Sequence, residues 1–150
     1  MKNYIILFLS IALLHSCVSF EFEKTDEAEV EKTILAQMQE QENCWNKGDL
    51  ECFMKHYWQN DSLEFIGKSG LNLGWQTTLD NYKNSYKNKD EMGVLSFEYL
   101  KTKLIDHNTF HVIGEWKLER PAVGDTLQGH FSLLWQQKNK QWVIVSDHSS

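Results

Sequence analysis

From Val94 to its end the chain reads as four long strands in series, and this stretch limits the possible folds more than any other. Apolar and polar residues alternate over Val94–Leu104, Thr109–Leu118, Thr126–Gln137 and Gln141–Asp147. The joining segments, Asp106-His107-Asn108, Arg120-Pro121-Ala122-Val123-Gly124-Asp125 and Lys138-Asn139-Lys140, are rich in turn formers. Connections this short make successive strands pair antiparallel. The strands exceed the usual length of about 5 to 6 residues, and Gly114 and Gly129 lie inside them. Long strands with internal glycines bend. A bent sheet wrapped around helices encloses a cone, and a cone can hold a pocket.

The N-terminal half carries helical spacing instead. Asp26 followed by Glu29 is a capping-box-like start. Val30, Ile34, Met38, Gln41 and Trp45 then recur every three to four residues, and Gly48 closes the helix. Asp49 caps a short second helix whose apolar face is Leu50, Phe53, Met54 and Tyr57. Ser62–Ile66 reads as a strand, Leu71–Leu73 as a shorter one, and Gln76–Asn88 as a third helix that Thr77 or Thr78 caps. Helices followed by a meander give an α+β domain, with three helices packed in the concave face of a strongly curved antiparallel sheet.

Several stretches carry a family resemblance. They are "CWNKGDLECFMKHYWQND" (Cys44 to Asp61), "GWQTTLDNYKNSY" (Gly74 to Tyr86), and "MGVLSFEYL", "FHVIGEWKL" and "GHFSLLWQQKNKQWVIVSDHSS" in the meander. In this order they resemble the nuclear transport factor 2-like superfamily, which includes ketosteroid isomerases and SnoaL-like polyketide cyclases. The chain resembles a bacterial exported branch of unknown function. The resemblance covers residues 26–150. It implies a cone-shaped pocket between helices and sheet, and a homodimer through the convex sheet face. Steroid isomerization does not carry over. The resemblance puts Ile66 where those enzymes have an aspartate base, and the one acid on that strand is Glu64.

The aromatic residues, 13% of the chain, are the stronger lead to a site. Trp45, Tyr57, Phe65, Trp75, Tyr82, Tyr86 and Trp116 fall in segments that surround the cone, and aromatic walls with a few polar tips suit a small apolar or aromatic ligand. Each of them also suits a plain core. On the strands, alternation puts Phe110, Val112, Gly114 and Trp116 on one face, with His111 and Glu115 on the other. It likewise separates Phe131, Leu133 and Trp135 from His130 and Ser132. In the last strand it groups Trp142, Ile144, Ser146 and His148 against Val143, Val145 and Asp147. Asp147 and His148, the catalytic candidates, therefore point apart and form no ready-made acid–base pair. Each is either a structural latch or part of a pocket. His111, Glu115, His130 and Ser132 read as a solvated or interfacial set.

Lys2, the apolar run Tyr4–Leu14 and then Leu14-His15-Ser16-Cys17 have the form of a lipoprotein signal. Residues 1–16 are read as the signal, Cys17 as the lipid-bearing residue, 17–25 as a tether and 26–150 as the domain. The run is shorter than the roughly 20 residues a spanning helix needs. Without the signal the balance is 14 basic against 21 acidic residues, which disfavors nucleic acid. It leaves membrane contact to the lipid alone. Cys44 and Cys52 flank the Gly48 turn. They are either bridged or two small apolar residues packed at a helix junction, the simpler reading. No CxxC pair or Cys/His cluster indicates a metal, and no cofactor is expected. The chain is thus read as an exported, lipid-anchored cone that binds a small molecule. Its alternatives are a SnoaL-like isomerase, cyclase or hydrolase, and a dimeric interaction module.

Overall fold

The structure, a computed structural model, describes residues 26–150. The signal, Cys17 and the tether lie outside the described residues. Helix α1, Glu27–Asn46, starts where the Asp26 side chain accepts the Ala28 amide at 3.0 Å. Glu27 and Glu29 in its first turn suit the positive end of the helix dipole. Its buried stripe is Val30, Ile34, Met38, Gln41, Cys44 and Trp45. The chain leaves α1 through Gly48, whose φ of 80° favors glycine. Asp49 then accepts the Cys52 amide at 2.9 Å and starts α2, Leu50–Phe53. A 3-10 turn, Met54–His56, follows directly.

Strands β1, Glu64–Gly67, and β2, Gly70–Leu73, form a hairpin. Helix α3 runs Trp75–Ser85. Neither threonine caps it. Gly74 occupies that position, and the Thr78 hydroxyl instead donates back to the Gly74 carbonyl at 2.9 Å. The helix ends short of Asn88 because Asn88 caps a separate helix, α4, Lys89–Met92, by accepting the Glu91 amide.

The meander is β3, Val94–Asp106; β4, Thr109–Arg120; β5, Asp125–Lys138; and β6, Gln141–Ser149. The sheet order is β2-β1-β6-β5-β4-β3. Every pair is antiparallel except β1 with β6, which is parallel. Periodicity does not reveal that pair, because the helices intervene between the two strands. Bulges interrupt the register at Leu100 and Ile105 in β3 and at Val145 in β6, and such extra residues bend and twist a sheet. Gly114 is needed for the same curvature, since a Cβ there would overlap the Glu98 carbonyl and the Phe131 ring.

Helix α1 lies along the free edge of β3. Glu27 accepts the Leu104 amide at 3.0 Å, Glu42 the Phe97 amide at 3.1 Å, and Asn46 the Leu95 amide at 2.8 Å. These contacts satisfy amides that an open edge would offer to another chain. Between α1 and the sheet, Ile34, Met38, Met54, Leu63, Phe110, Val112, Trp135 and Ile144 are fully buried. The Cys44–Cys52 pair is a disulfide, with Cα atoms 5.5 Å apart, so the simpler reading of two packed thiols gives way. Asp49 capping folds α2 back on α1 and brings the two sulfurs together. Among the described residues no helix is long and apolar enough to cross a membrane.

Candidate functional site

Strand register decides which side chains face the helices. Phe65 lies opposite Asp147, Asp147 opposite Leu133, and Leu133 opposite Val112. In the next row Ser149, Phe131 and Gly114 align, and beyond it Gly129, Trp116 and Phe97. The bulge at Val145 changes the expected faces of β6. Leu134 pairs with Ser146 but Trp135 with Ile144, so one residue is skipped and the alternation reverses. Asp147 therefore joins Trp142 and Ile144 inside, where all three are buried. His148 does not share their face as strict alternation requires. It is exposed on the other side, opposite Ser132 and Ile66.

Asp147 is the center of a polar cluster. Tyr57 donates its hydroxyl proton to Asp147 Oδ2 at 2.6 Å, and Ser149 donates to Oδ1 at 2.6 Å. The Tyr82 hydroxyl lies near Tyr57 and Asp147. Tyr57 is held in place because its segment runs beside β6, where the Trp58 amide donates to the Ile144 carbonyl at 2.9 Å. Burial pushes the Asp147 carboxyl up to about 6, against the opposing pull of the Ser149 and Tyr57 hydrogen bonds and of His148. Burial, then the Asp147 charge, pushes Tyr57 and Tyr82 well above the ordinary phenol value. The cluster thus has a carboxyl that changes charge near neutral pH and two phenols that stay protonated.

The expected aromatic residues surround this cluster without sharing one role. Phe53, Phe65, Trp45 and Tyr86 all pack edge-on or stacked against each other or Tyr82, with ring centers 4.9–6.3 Å apart. Trp45 and Tyr57 are buried core residues. The Trp45 indole donates to the Met92 carbonyl at 3.0 Å and the Trp75 indole to the Met54 carbonyl at 2.9 Å, so both are satisfied within the protein. Phe65, Tyr82, Tyr86 and Trp116 are partly buried. The Trp116 Nε1 is itself buried and has no partner among the described residues. Tyr86 also walls a surface hollow of about 600 Å³ between the α1–α2 corner and α4. On β1 the residue facing in is Phe65; Glu64 is exposed and Ile66 lies on the outer side with His148. No acid of this strand faces the concave side.

His111, Glu115, His130 and Ser132 lie on the convex face. His111 Nε2 is 2.8 Å from Ser132 Oγ, and His130 Nε2 is 3.1 Å from Glu115 Oε1.

A nuclear transport factor 2-like protein of unknown function from Shewanella oneidensis has the same architecture. It is 37% identical, with a TM-score of 0.77 over 81% of this chain and 98% of that one. The chain belongs to the nuclear transport factor 2-like family. A superfamily protein from Salmonella enterica matches this family fold at 18% identity and a TM-score of 0.65, over 83% of this chain and 92% of its own. A ketosteroid isomerase-like protein from Erwinia carotovora matches at 12% and 0.60, over 79% and 93%. At such identities the likeness is one of fold. No family model and no curated protein matches the chain.

Sequence reasoning missed Ser149 and Phe97 as concave-face partners, while alternation groups Phe131 with Leu133 and Trp135 on the face that is buried. Ser149 follows from Asp147 by simple alternation once the bulge is known. The bulge has no local mark, since Val-Ile-Val-Ser contains neither glycine nor proline. Phe97 and Phe131, with ring centers 5.4 Å apart, meet across β4 at Gly114. There the missing side chain of a glycine was the available signal.

Proposed function

We propose that this nuclear transport factor 2-like chain is an exported, lipid-anchored domain that binds a small, largely apolar or aromatic molecule in its cone. The observation that carries the reading is the hydrogen-bonded set Tyr57–Asp147–Ser149, with Tyr82 nearby, on a concave face of aromatic and aliphatic side chains. A buried carboxyl costs stability unless hydrogen-bonded, and a few convergent polar groups among aromatic walls are what orients a small ligand. The unpartnered Trp116 indole is one more donor on the same face and would suit a ligand carbonyl or hydroxyl. Tyr82→Ala and Trp75→Ala should each weaken uptake of an apolar fluorophore, 1-anilinonaphthalene-8-sulfonate, by tenfold or more in chain that is still folded, a larger loss than their effect on folding. Equal loss of both would make these residues plain core. Mass spectrometry of molecules extracted from chain purified from its own host identifies the ligand class.

A second reading, an acid–base enzyme of the SnoaL-like kind, is favored by the Asp147 carboxyl, which titrates near the pH where proton transfer is most effective. Asp147→Asn then abolishes turnover and spares binding. Two further proposals complete the picture. The lipid sits on Cys17, so Cys17→Ser releases the chain from membranes; continued membrane association would refute it. The domain pairs through its convex face, where Ile113, Leu134, Val143 and Val145 are half-buried in the single chain. Light scattering should give a dimer mass that Leu134→Asp halves.

A further inference from the structure

The corner between α1 and α2 brings together four side chains of metal-binding type. Glu40 and Cys44 are one helical turn apart on α1, and Cys52 and His56 are one turn apart on α2 and the 3-10 turn. Residues four apart share a helix face, and here the two faces meet. Cys44 Sγ, Cys52 Sγ and a Glu40 carboxylate oxygen all lie within 4.8 Å of one another. His56 Nε2 is 2.8 Å from Glu40 Oε2. With the sulfurs joined the corner offers no thiolate.

We propose that reduction of Cys44–Cys52 turns this corner into a zinc site with Glu40, Cys44, Cys52 and His56 as its four ligands. Tetrahedral zinc, with bonds of about 2.3 Å to sulfur and about 2.0–2.1 Å to nitrogen or oxygen, spaces its ligand atoms about 3.3–3.8 Å apart. Glu40, Cys44 and Cys52 already lie within 4.8 Å of one another, and His56 adjoins them through its contact with Glu40. The chemistry balances with a dithiol reductant. One of its thiolates attacks a protein sulfur and breaks the S–S bond, and its second thiol closes the reductant's own disulfide. The protein then carries two thiols, which zinc binds as thiolates with release of two protons. Two thiolates and one carboxylate leave the zinc-bound cluster with one net negative charge, and Lys55 Nζ stands 2.8 Å from Glu40 to offset it. Four protein ligands leave no open position, so the metal is structural.

The test is cobalt and zinc titration of the full chain, reduced with a dithiol and desalted without oxygen. Reduced chain should bind one cobalt per chain, with tetrahedral visible bands and a thiolate charge-transfer band that zinc displaces, whereas oxidized chain binds none. Glu40→Gln and His56→Gln should each weaken binding by tenfold or more with the circular dichroism spectrum kept, and Cys52→Ser should remove the charge-transfer band. If reduction loosens the fold, zinc should restore it. Absence of the cobalt bands in reduced chain, undiminished affinity in both Glu40→Gln and His56→Gln, equal binding by oxidized chain, or unfolding on reduction that zinc does not reverse would each overturn the proposal.

Discussion

The two faces of the sheet hold similar chemistry in opposite surroundings. The concave face has Asp147 with Tyr57 and Ser149; the convex face has Glu115 with His130, and His111 with Ser132. Asp147 is 2% exposed, whereas the His130 and Glu115 side chains are 65% and 47% exposed. Water screens the convex pair, and such pairs contribute little. The concave carboxyl has lost its water, so each of its hydrogen bonds counts and its charge shifts with pH. Residue type alone does not make a site. Desolvation does, and here it was set by which face a strand turns inward.

The largest test compares neighbors on β5. Trp135→Ala should cost about 3–5 kcal/mol in denaturant unfolding, while Leu134→Ala, one residue away on the convex face, should cost roughly 1 kcal/mol. Both costs are read at concentrations too dilute for pairing; comparable costs there would mean that the two faces of the single chain are equally buried.

Next comes Asp147 against pH. Its folded value of about 6 lies above the ordinary 3.8, so the folded chain holds the proton more tightly than the unfolded chain does. Below about pH 4 both states are protonated and the folded chain keeps its full stability. As pH rises through about 6 the native carboxyl must ionize, and wild type should lose about 3 kcal/mol relative to Asp147→Asn, which cannot titrate. Parallel stability curves for the two proteins between pH 4 and 7 would contradict the burial of this charge.

Smaller still, Tyr57→Phe removes the donor to Oδ2 and should cost about 1–3 kcal/mol at pH 7, and less at pH 4, where the carboxyl carries its own proton. Thermal unfolding at the two pH values measures the difference. On the convex side, His130→Ala should leave the unfolding midpoint of dilute, monomeric chain unchanged, and a clear shift would show that the exposed His130–Glu115 pair carries stability.

The fold was legible because it rests on local periodicities. Val30, Ile34, Met38, Gln41 and Trp45 at helical spacing, and Phe110, Val112 and Trp135 at strand spacing, all reached the core. Asp26 and Asp49 capped the helices expected of them. The site was legible in its parts. Tyr57, Tyr82 and Asp147 were each candidates, but nothing local links residues about 90 positions apart. The Cys44–Cys52 bond was equally out of reach, since it depends on how α2 folds back on α1.

The residue patterns by themselves determined the helices, the meander and the curved sheet, because backbone hydrogen bonding and apolar periodicity act over a few residues. The tertiary structure alone decided that Asp147 turns inward. The skipped residue at Val145 and the parallel β1–β6 pair exist only once distant strands meet, and burial, the force that tunes the carboxyl, is a property of that meeting.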